Sequence, residues 1–421
     1  MKLFESKFEI AIFIGVCLAI FAANVTWEYF KFEKFVADGR VEITAKVLLN
    51  YVKNGAKSDY RVLKLRADGF DFYTTTRRKN FSAAAVTLVA DTSGVSFAEY
   101  LKKTFYMPSY KLRAAPLKKG VRERLYDLVA ARHENPKMKE LFAALFLAAP
   151  VSRELRADVT NWGVAHIISI SGFHLGLLFA IAFFILRPPY RALQSRYFPW
   201  RDANFDLSFF ILACAGFYLW ILDFTPSFLR SYLMGVVGFF FLARGLGVFK
   251  FENLFVCAAL ALAFNPSLLF SIGFYFSALG VFFIFLYIHH FGDARDLESA
   301  PKMLAHTLLL ELFVFSAMNV PVYYFFHPAG VFQLSVIPLG YAFSVFYPLE
   351  IALHLLGRGD LLDEYLLRFI PLASSSAQIS VHPLIFWAFN ALLLPAIKFK
   401  WLAVFLAVFG MAVYAFGLIQ I

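Results

Sequence analysis

The segment HIISISGFHLG, residues 166–176, sets two histidines, two serines and two glycines in a run apolar enough to cross a membrane. Polar side chains are costly in hydrocarbon unless they find partners, so they mark either helix packing or a functional path. Read as one helix turning about 100° per residue, the segment puts His166, Ser169 and Phe173 on one face with His174 at its edge. Ser171 and Gly172 point elsewhere, and Gly172 and Gly176 leave room for a backbone break or a closely packed second helix. Four chemistries fit: hydrogen bonds tying helices together, a metal site short of a third ligand, a nucleophilic Ser171 served by a distant base such as His306, and the lining of a translocation path.

Two further clusters follow. TPSFLRSYLMG, 225–235, carries Arg230 a few residues into an apolar run, behind Pro226 and Ser227. NPSLLFSIGFYFSALGV, 265–281, sets Gly273, Phe274 and Ser277 among small and polar residues. Glu311, in LLLELFVF, is the other clear intramembrane charge. Arg230 either snorkels to an interface or acts inside the membrane, by pairing with Glu311 or by meeting an anion.

The elements that must position these residues are membrane helices. Of 421 residues 60% are hydrophobic and only 16% charged, where a soluble domain carries about a quarter charged. The 53 phenylalanines read as lipid-facing and packing side chains. Cys17, Cys214 and Cys257 all lie in apolar runs and imply neither a disulfide framework nor a zinc cluster. The net charge of +11 is uneven: residues 1–160 hold 27 Lys and Arg against 17 Asp and Glu, the remainder 13 against 12. A basic N-terminal part suits a polyanion or an anionic membrane surface. No phosphate-binding loop and no metal-dependent nuclease run is found, so no ATPase or other enzyme, no cofactor and no metal is expected.

Residues 1–30 read as a membrane anchor around the apolar run 8–24, uncleaved rather than a signal peptide. Residues 31–115 alternate in VEITAKVLLNYV, DYRVLKLRADGFDFYTTT and AAAVTLVAD, with a turn at Ala67-Asp68-Gly69 and a short helix in SFAEYLKKTF, which fits a small OB-like β-barrel. Residues 116–160 form an amphipathic connector of two helices broken near Pro136, the second a candidate to lie in the membrane interface. Residues 161–421 are polytopic, with spans expected at 164–186, 206–222, 227–248, 252–269, 271–290, 303–326, 330–354, 383–397 and 400–418, or re-entrant segments either side of Asn265-Pro266. The loop 187–201 has four arginines and no acid, which makes it cytoplasmic and residues 31–160 extracytoplasmic. The expected fold is thus a polytopic α-helical membrane protein of about ten transmembrane helices with an N-terminal extracytoplasmic OB-like domain.

In order and spacing the three clusters resemble the ComEC family, inner-membrane channels for DNA uptake in natural transformation. GVAHIISISGFHLG matches the family's core motif through Gly163, His166, Ile170, Ser171, Gly172, His174 and Gly176. The second element matches through Pro226, Ser227, Arg230 and Met234, with Ser231 in place of a small residue. The third matches through Gly273, Phe274 and Ser277, with Phe276 for leucine, and LSVIPLG, 334–340, loosely echoes a later family pattern. The resemblance implies a channel for single-stranded DNA in the bacterial cytoplasmic membrane. An extracytoplasmic DNA receptor would act upstream, a cytoplasmic translocase or single-strand-binding proteins downstream, and a homo-oligomer is compatible with it. Many members end in a metallo-β-lactamase-like domain; the sequence here stops at Ile421, so degradation of the other strand is expected from a separate nuclease.

The physics fits such a cargo. A hydrocarbon core about 30 Å thick would hold roughly nine phosphates of one strand, at a cost on the order of 25 kcal/mol if exposed to lipid. DNA therefore needs a wet, protein-lined pore, which HIISISGFHLG would line or gate. Outside the membrane, Lys64, Arg66, Arg77, Arg78, Lys79, Lys102 and Lys103, interleaved with aromatics including Phe72 and Tyr73, offer cations for phosphates and rings for bases. The competing expectation is a transporter of a small solute or lipid-linked intermediate.

Overall fold

The structure is a computed structural model that describes residues 4, 6–53, 59–67, 69–77, 83–116, 120–243, 251–294, 297, 299–373 and 377–420. Its elements in chain order begin with helix α1 (Lys7–Ala37) and strands β1 (Arg40–Lys53), β2 (Tyr60–Ala67), β3 (Phe70–Thr76) and β4 (Ala85–Asp91). Helix α2 (Phe97–Leu101) and strands β5 (Thr104–Tyr106) and β6 (Ser109–Ala115) follow, then α3 (Val121–Ala130), α4 (Pro136–Leu147), α5 (Arg153–Asn161), α6 (Ala165–Ile168) and α7 (Gly172–Tyr197). The remaining helices are α8 (Ala203–Ile221), α9 (Pro226–Ala243), α10 (Phe251–Phe264), α11 (Ile272–Phe291), α12 (Ala300–Phe325), α13 (Val336–Leu355), α14 (Asp363–Phe369), α15 (Pro383–Lys398) and α16 (Lys400–Leu418). Two compact units result, one of residues 2–124 with 258–272, the other of residues 125–257 with 273–421.

In the first unit, Ser6 caps α1 by accepting the Glu9 N–H at 3.2 Å. This helix runs well past the apolar stretch at 8–24. Its first half turns Phe8, Ile12, Val16 and Leu18 outward, a surface suited to lipid, while Phe32 and Phe35 in its second half pack on the sheet core. The alternation read from sequence is the alternation of burial: Ile43 and Ala45, Leu63 and Leu65, Phe72, Val86 and Leu88 face inward. The strand order is β5-β3-β2-β1-β4-β6. β1 serves two neighbours, pairing β4 through residues 40–46 and β2 through 46–53, with a bulge between Val47 and Leu49 that lets it bend. The backbone ladders leave the sheet open between β5 and β6, so the closed barrel expected from sequence is not formed by strand pairing. Pro108, with no N–H to give, falls between these consecutive edge strands. From β3, isolated bonds reach the segment between these strands and β6: the Met107 N–H donates to Tyr73 O at 2.9 Å and the Thr74 hydroxyl to Ser109 Oγ at 2.7 Å.

In the second unit the chain is almost wholly helical. Across the described residues seven segments are long and apolar enough to cross a membrane: α1, α7, α8, α11, α12, α13 with the turn before it, and α16; α9, α10 and α15 are shorter apolar helices. Three expectations change. The span at 164–186 is interrupted between α6 and α7. The arginine-rich stretch 187–201 is mostly helix, since α7 continues through Pro188 and Pro189 to Tyr197. Helix α4 does not lie on an interface: Met138, Leu141, Phe142 and Leu145 are buried in a core shared with Leu155, Val159, Ile167, Phe343 and Tyr347. Elsewhere α12 and α16 meet where Gly410 sits against the Ser316 carbonyl and the Asn319 side chain donates to Gly410 O at 3.3 Å, the small-residue packing favoured between membrane helices.

One ion cluster fixes the β2–β3 hairpin. Asp71 receives Arg66 at 2.7 and 3.2 Å and Lys64 at 3.0 Å. Burial opposes its ionisation, but the hydrogen bond and charge of Arg66, joined by Lys64, hold its carboxyl below the usual range. A depressed folded value stabilises the fold above the ordinary carboxylate range, near pH 4, and the benefit is lost as pH falls through that lower value. Asp71→Asn is therefore expected to cost about 1–3 kcal/mol at neutral pH and to remove this acid-dependent step. Hydrogen exchange of peptides spanning 60–76 in the full chain measures both; exchange unchanged from wild type at pH 7 would refute the assignment.

Candidate functional site

The helix break explains part of the opening motif. After α6 the backbone of Ser169 becomes extended, and Ser171 is the N-cap of α7. Its Oγ accepts the Phe173 N–H at 3.3 Å, and His174 Nδ1 accepts the Ser171 N–H at 3.2 Å. This is the reciprocal arrangement of a capping box, with an imidazole in the usual place of a carboxylate or amide. The polar residues are thus paired with backbone N–H groups that a helix start leaves without partners. The shared face expected for His166, Ser169 and Phe173 does not exist, because the helix is not continuous there; all three are exposed. His174 is fully buried, edge-on to the rings of Phe343 and Tyr347, and its Nε2 has no hydrogen-bond partner.

The three motifs converge within the second unit. A methyl group on Gly172 would lie 2.7 Å from Ser231 Oγ and 3.4 Å from Arg230 Nη2, so the start of α7 seats directly on α9. Arg230 is 4% exposed. Its Nε donates to Ser277 Oγ of α11 at 2.7 Å, its Nη2 to Ser231 Oγ at 2.9 Å and its Nη1 to Met234 Sδ at 2.8 Å. Ser231 donates onward to Ser227 O at 2.9 Å, and the Ser227 hydroxyl to Gly273 O at 3.4 Å. Phe274 is buried beside them in sequence. A guanidinium therefore lies buried with hydroxyl and thioether partners and, among the described residues, no carboxylate partner, next to the positive end of a helix.

Other expected members lie apart. Glu311 faces the Tyr341 hydroxyl, has one buried oxygen without a partner, and forms no ion pair with Arg230. Gly176 is exposed, with open space where a side chain would stand, so it marks no close helix approach. His306 binds Gly292 O at 3.1 Å and faces Tyr287, and so does not serve Ser171. Gly163, at φ +71°, ends α5 in a left-handed conformation, and any Cβ would lie 2.8 Å from Gln333 O.

In the first unit, several cations expected to face DNA are already paired. Lys64 and Arg66 bind Asp71, and Lys103 binds Glu28 and lies over Tyr100. Phe72 is not at the surface at all: it is a fully buried core residue opposite Leu65. Tyr73 is half-buried under Lys64. Arg77 is exposed, as is Lys102, whose ammonium lies over Phe270. Arg78 and Lys79 lie outside the described residues.

Sequence reasoning missed Gln333, buried against Gly163, which accepts from the Tyr323 hydroxyl at 2.7 Å and donates to Pro328 O at 2.8 Å. It also missed a cluster of His133, Glu350, His354 and Asp363, whose members are too far apart in the chain for spacing to connect them.

Long apolar helices with three polar motifs drawn around one buried arginine fit a polytopic helical membrane protein with a buried polar site. A family model described as Competence protein matches residues 148–420, and the chain belongs to that family, the ComEC family of competence proteins, which carries a role in DNA uptake. No curated protein and no solved structure matches the chain.

The contact between α7 and α9 is testable. Gly172→Ala is expected to lower stability by about 1–3 kcal/mol through overpacking, and Ser231→Gly in the same chain to recover most of it. Thermal midpoints in detergent give the comparison; equal losses in the single and double variants would disprove the contact.

Proposed function

We propose that residues 161–421 form the channel that passes single-stranded DNA across the bacterial cytoplasmic membrane, with residues 31–160 on the outer side. The observation that carries this reading is Arg230 of α9, buried against the start of α7 with no carboxylate partner among the described residues. Its hydroxyl and thioether acceptors leave its charge unneutralised, and a passing phosphate would supply an anionic partner. Weak, successive contacts of this kind favour conduction over tight binding. His174, buried beside the same helix start with an unpaired Nε2, is a second candidate contact. The N-terminal sheet, on this reading an OB-like collecting surface, would bind DNA through Arg77 and Lys102. An outside receptor would deliver the duplex, a separate nuclease would remove one strand, and a cytoplasmic translocase or single-strand-binding protein would draw in the other.

The test separates stability from transport. Arg230→Met keeps the side-chain volume and removes a buried, unpaired charge, so the variant is expected to be as stable as wild type or more so. In cells of the source organism its transformation is expected to fall about tenfold to a hundredfold, with labelled DNA held in the periplasm. Normal uptake by a folded Arg230→Met protein would remove the basis for the channel reading.

A second expectation concerns the sheet. Arg77→Glu and Lys102→Glu should each weaken single-strand binding and reduce the salt slope by about 0.7. Lys64→Ala, which disrupts a cation already held by Asp71, should change the slope little. Equal effects of all three would contradict this division.

A further inference from the structure

A line of ionisable side chains in the second unit belongs to none of the three motifs. His133, between α3 and α4, is buried and stacked on Phe142 at 4.4 Å. Its Nδ1 lies 2.9 Å from both carboxylate oxygens of Asp363 at the start of α14. Its Nε2 faces His354 Nε2 at 3.0 Å. His354, at the end of α13, directs Nδ1 to the Glu350 carbonyl at 2.8 Å and to Glu350 Oε2 at 3.4 Å. Glu350 is fully buried, and neither of its carboxylate oxygens has a hydrogen-bond partner.

One arrangement of protons satisfies every link. The Glu350 carbonyl can only accept, so His354 carries its hydrogen on Nδ1 and offers Nε2 as an acceptor. The hydrogen between the two rings then sits on His133 Nε2. His133 Nδ1 and Asp363 share one further proton, either as acid and imidazole or as carboxylate and imidazolium. Imidazole is the side chain that accepts a proton at one nitrogen and releases another from the second. Both Glu350 carboxylate oxygens are without a hydrogen-bond donor among the described residues, so one can receive a hydrogen from the neighbouring ring.

We propose that Asp363, His133 and His354 form a proton relay that loads the Glu350 carboxylate. The relay starts with Asp363 ionised and the only ring hydrogen of His133 on Nε2; the proton that Asp363 takes up is the one the two then share, and it passes to His133 Nδ1. His133 releases its Nε2 proton to His354 Nε2, and His354 gives its Nδ1 proton to Glu350 Oε2, where the new O–H bond forms. Each ring gains one proton and loses one, so the sum is one proton consumed and one carboxylate neutralised. Burial raises the affinity of Asp363 for protons against the opposing pull of His133, and the negative Asp360 beside it acts in the same direction as burial. The other groups facing the relay are Arg132, packed against Gly357, and Tyr347, one turn before Glu350, which pairs with Tyr218 and meets the edge of His174. Phe142 and Phe146 enclose the two imidazoles. The relay stands on its own geometry and does not require the DNA reading.

The experiment is infrared spectroscopy of the full chain in liposomes transferred into D2O. The carboxylic acid C=O band of Glu350 is identified by its loss in Glu350→Gln, and its deuterium shift times the arrival of a proton. His133→Gln, His354→Gln and Asp363→Asn are each expected to slow that shift about a hundredfold. Amide exchange in the same spectra reports whether packing survives, and Asp363→Asn leaves both rings in place should either histidine variant unfold. A deuteration rate unchanged in Asp363→Asn, or in either histidine variant with intact amide protection, overturns the relay; so does a Glu350→Gln spectrum with no band missing.

Discussion

The polytopic part is organised around a guanidinium that has no carboxylate. Arg230 donates its hydrogen bonds to Ser277, Ser231 and Met234, and those acceptors sit on two helices, α9 and α11, with the first turn of α7 pressed against them. Hydroxyls satisfy the geometry of an arginine without neutralising it. The helices are thereby held together by a group that remains electrically unfinished. In water such an arrangement would be unremarkable; in a membrane it concentrates positive potential where the dielectric is low. The Ser171–His174 cap belongs to the same design, because it fixes where α7 begins and so where the positive end of that helix points.

The N-terminal unit handles charge in the opposite way. Asp71 pairs with Lys64 and Arg66, and Glu28 with Lys103 and Lys31, within the chain. The number of basic residues counted in sequence therefore overstates the number of cations free of an acidic neighbour. Pairing of this kind also orders the β2–β3 hairpin, since one carboxylate bridges residues from both strands. Charge composition gives the sign of the surface, while local pairing decides which cations carry an acidic neighbour.

Much of this was legible in the residues. Alternation in VEITAKVLLNYV and DYRVLKLRADGF located the strands because each has one buried face. The three motifs were recognisable because polar residues in apolar runs are rare. What the sequence hid was non-local. The break between Ile168 and Gly172 depends on a cap that reads as helix from periodicity alone. The buried role of α4 depends on contacts with Phe343 and Tyr347, some two hundred residues away. Phe72, set among lysines and arginines, looked like a stacking platform because inward and outward residues of a strand alternate and only pairing tells which is which. His133 and His354 carried no motif, and only folding brings their rings to 3.0 Å.

Helix α1 has a mechanical consequence. At 31 residues it is about 46 Å long, against a hydrocarbon thickness of about 30 Å. Phe32 and Phe35, near its far end, are part of the core of the β-sheet, and Glu28 is tied to Lys103. The sheet is thus clamped to an arm continuous with the membrane anchor rather than tethered by a flexible linker. An ordinary helix tilt of about 20°, acting over roughly 20 Å of arm, would swing the clamped sheet sideways by roughly 7 Å. A rigid helix of this kind passes any change in the tilt of its apolar half to the sheet undiminished, as a lever does.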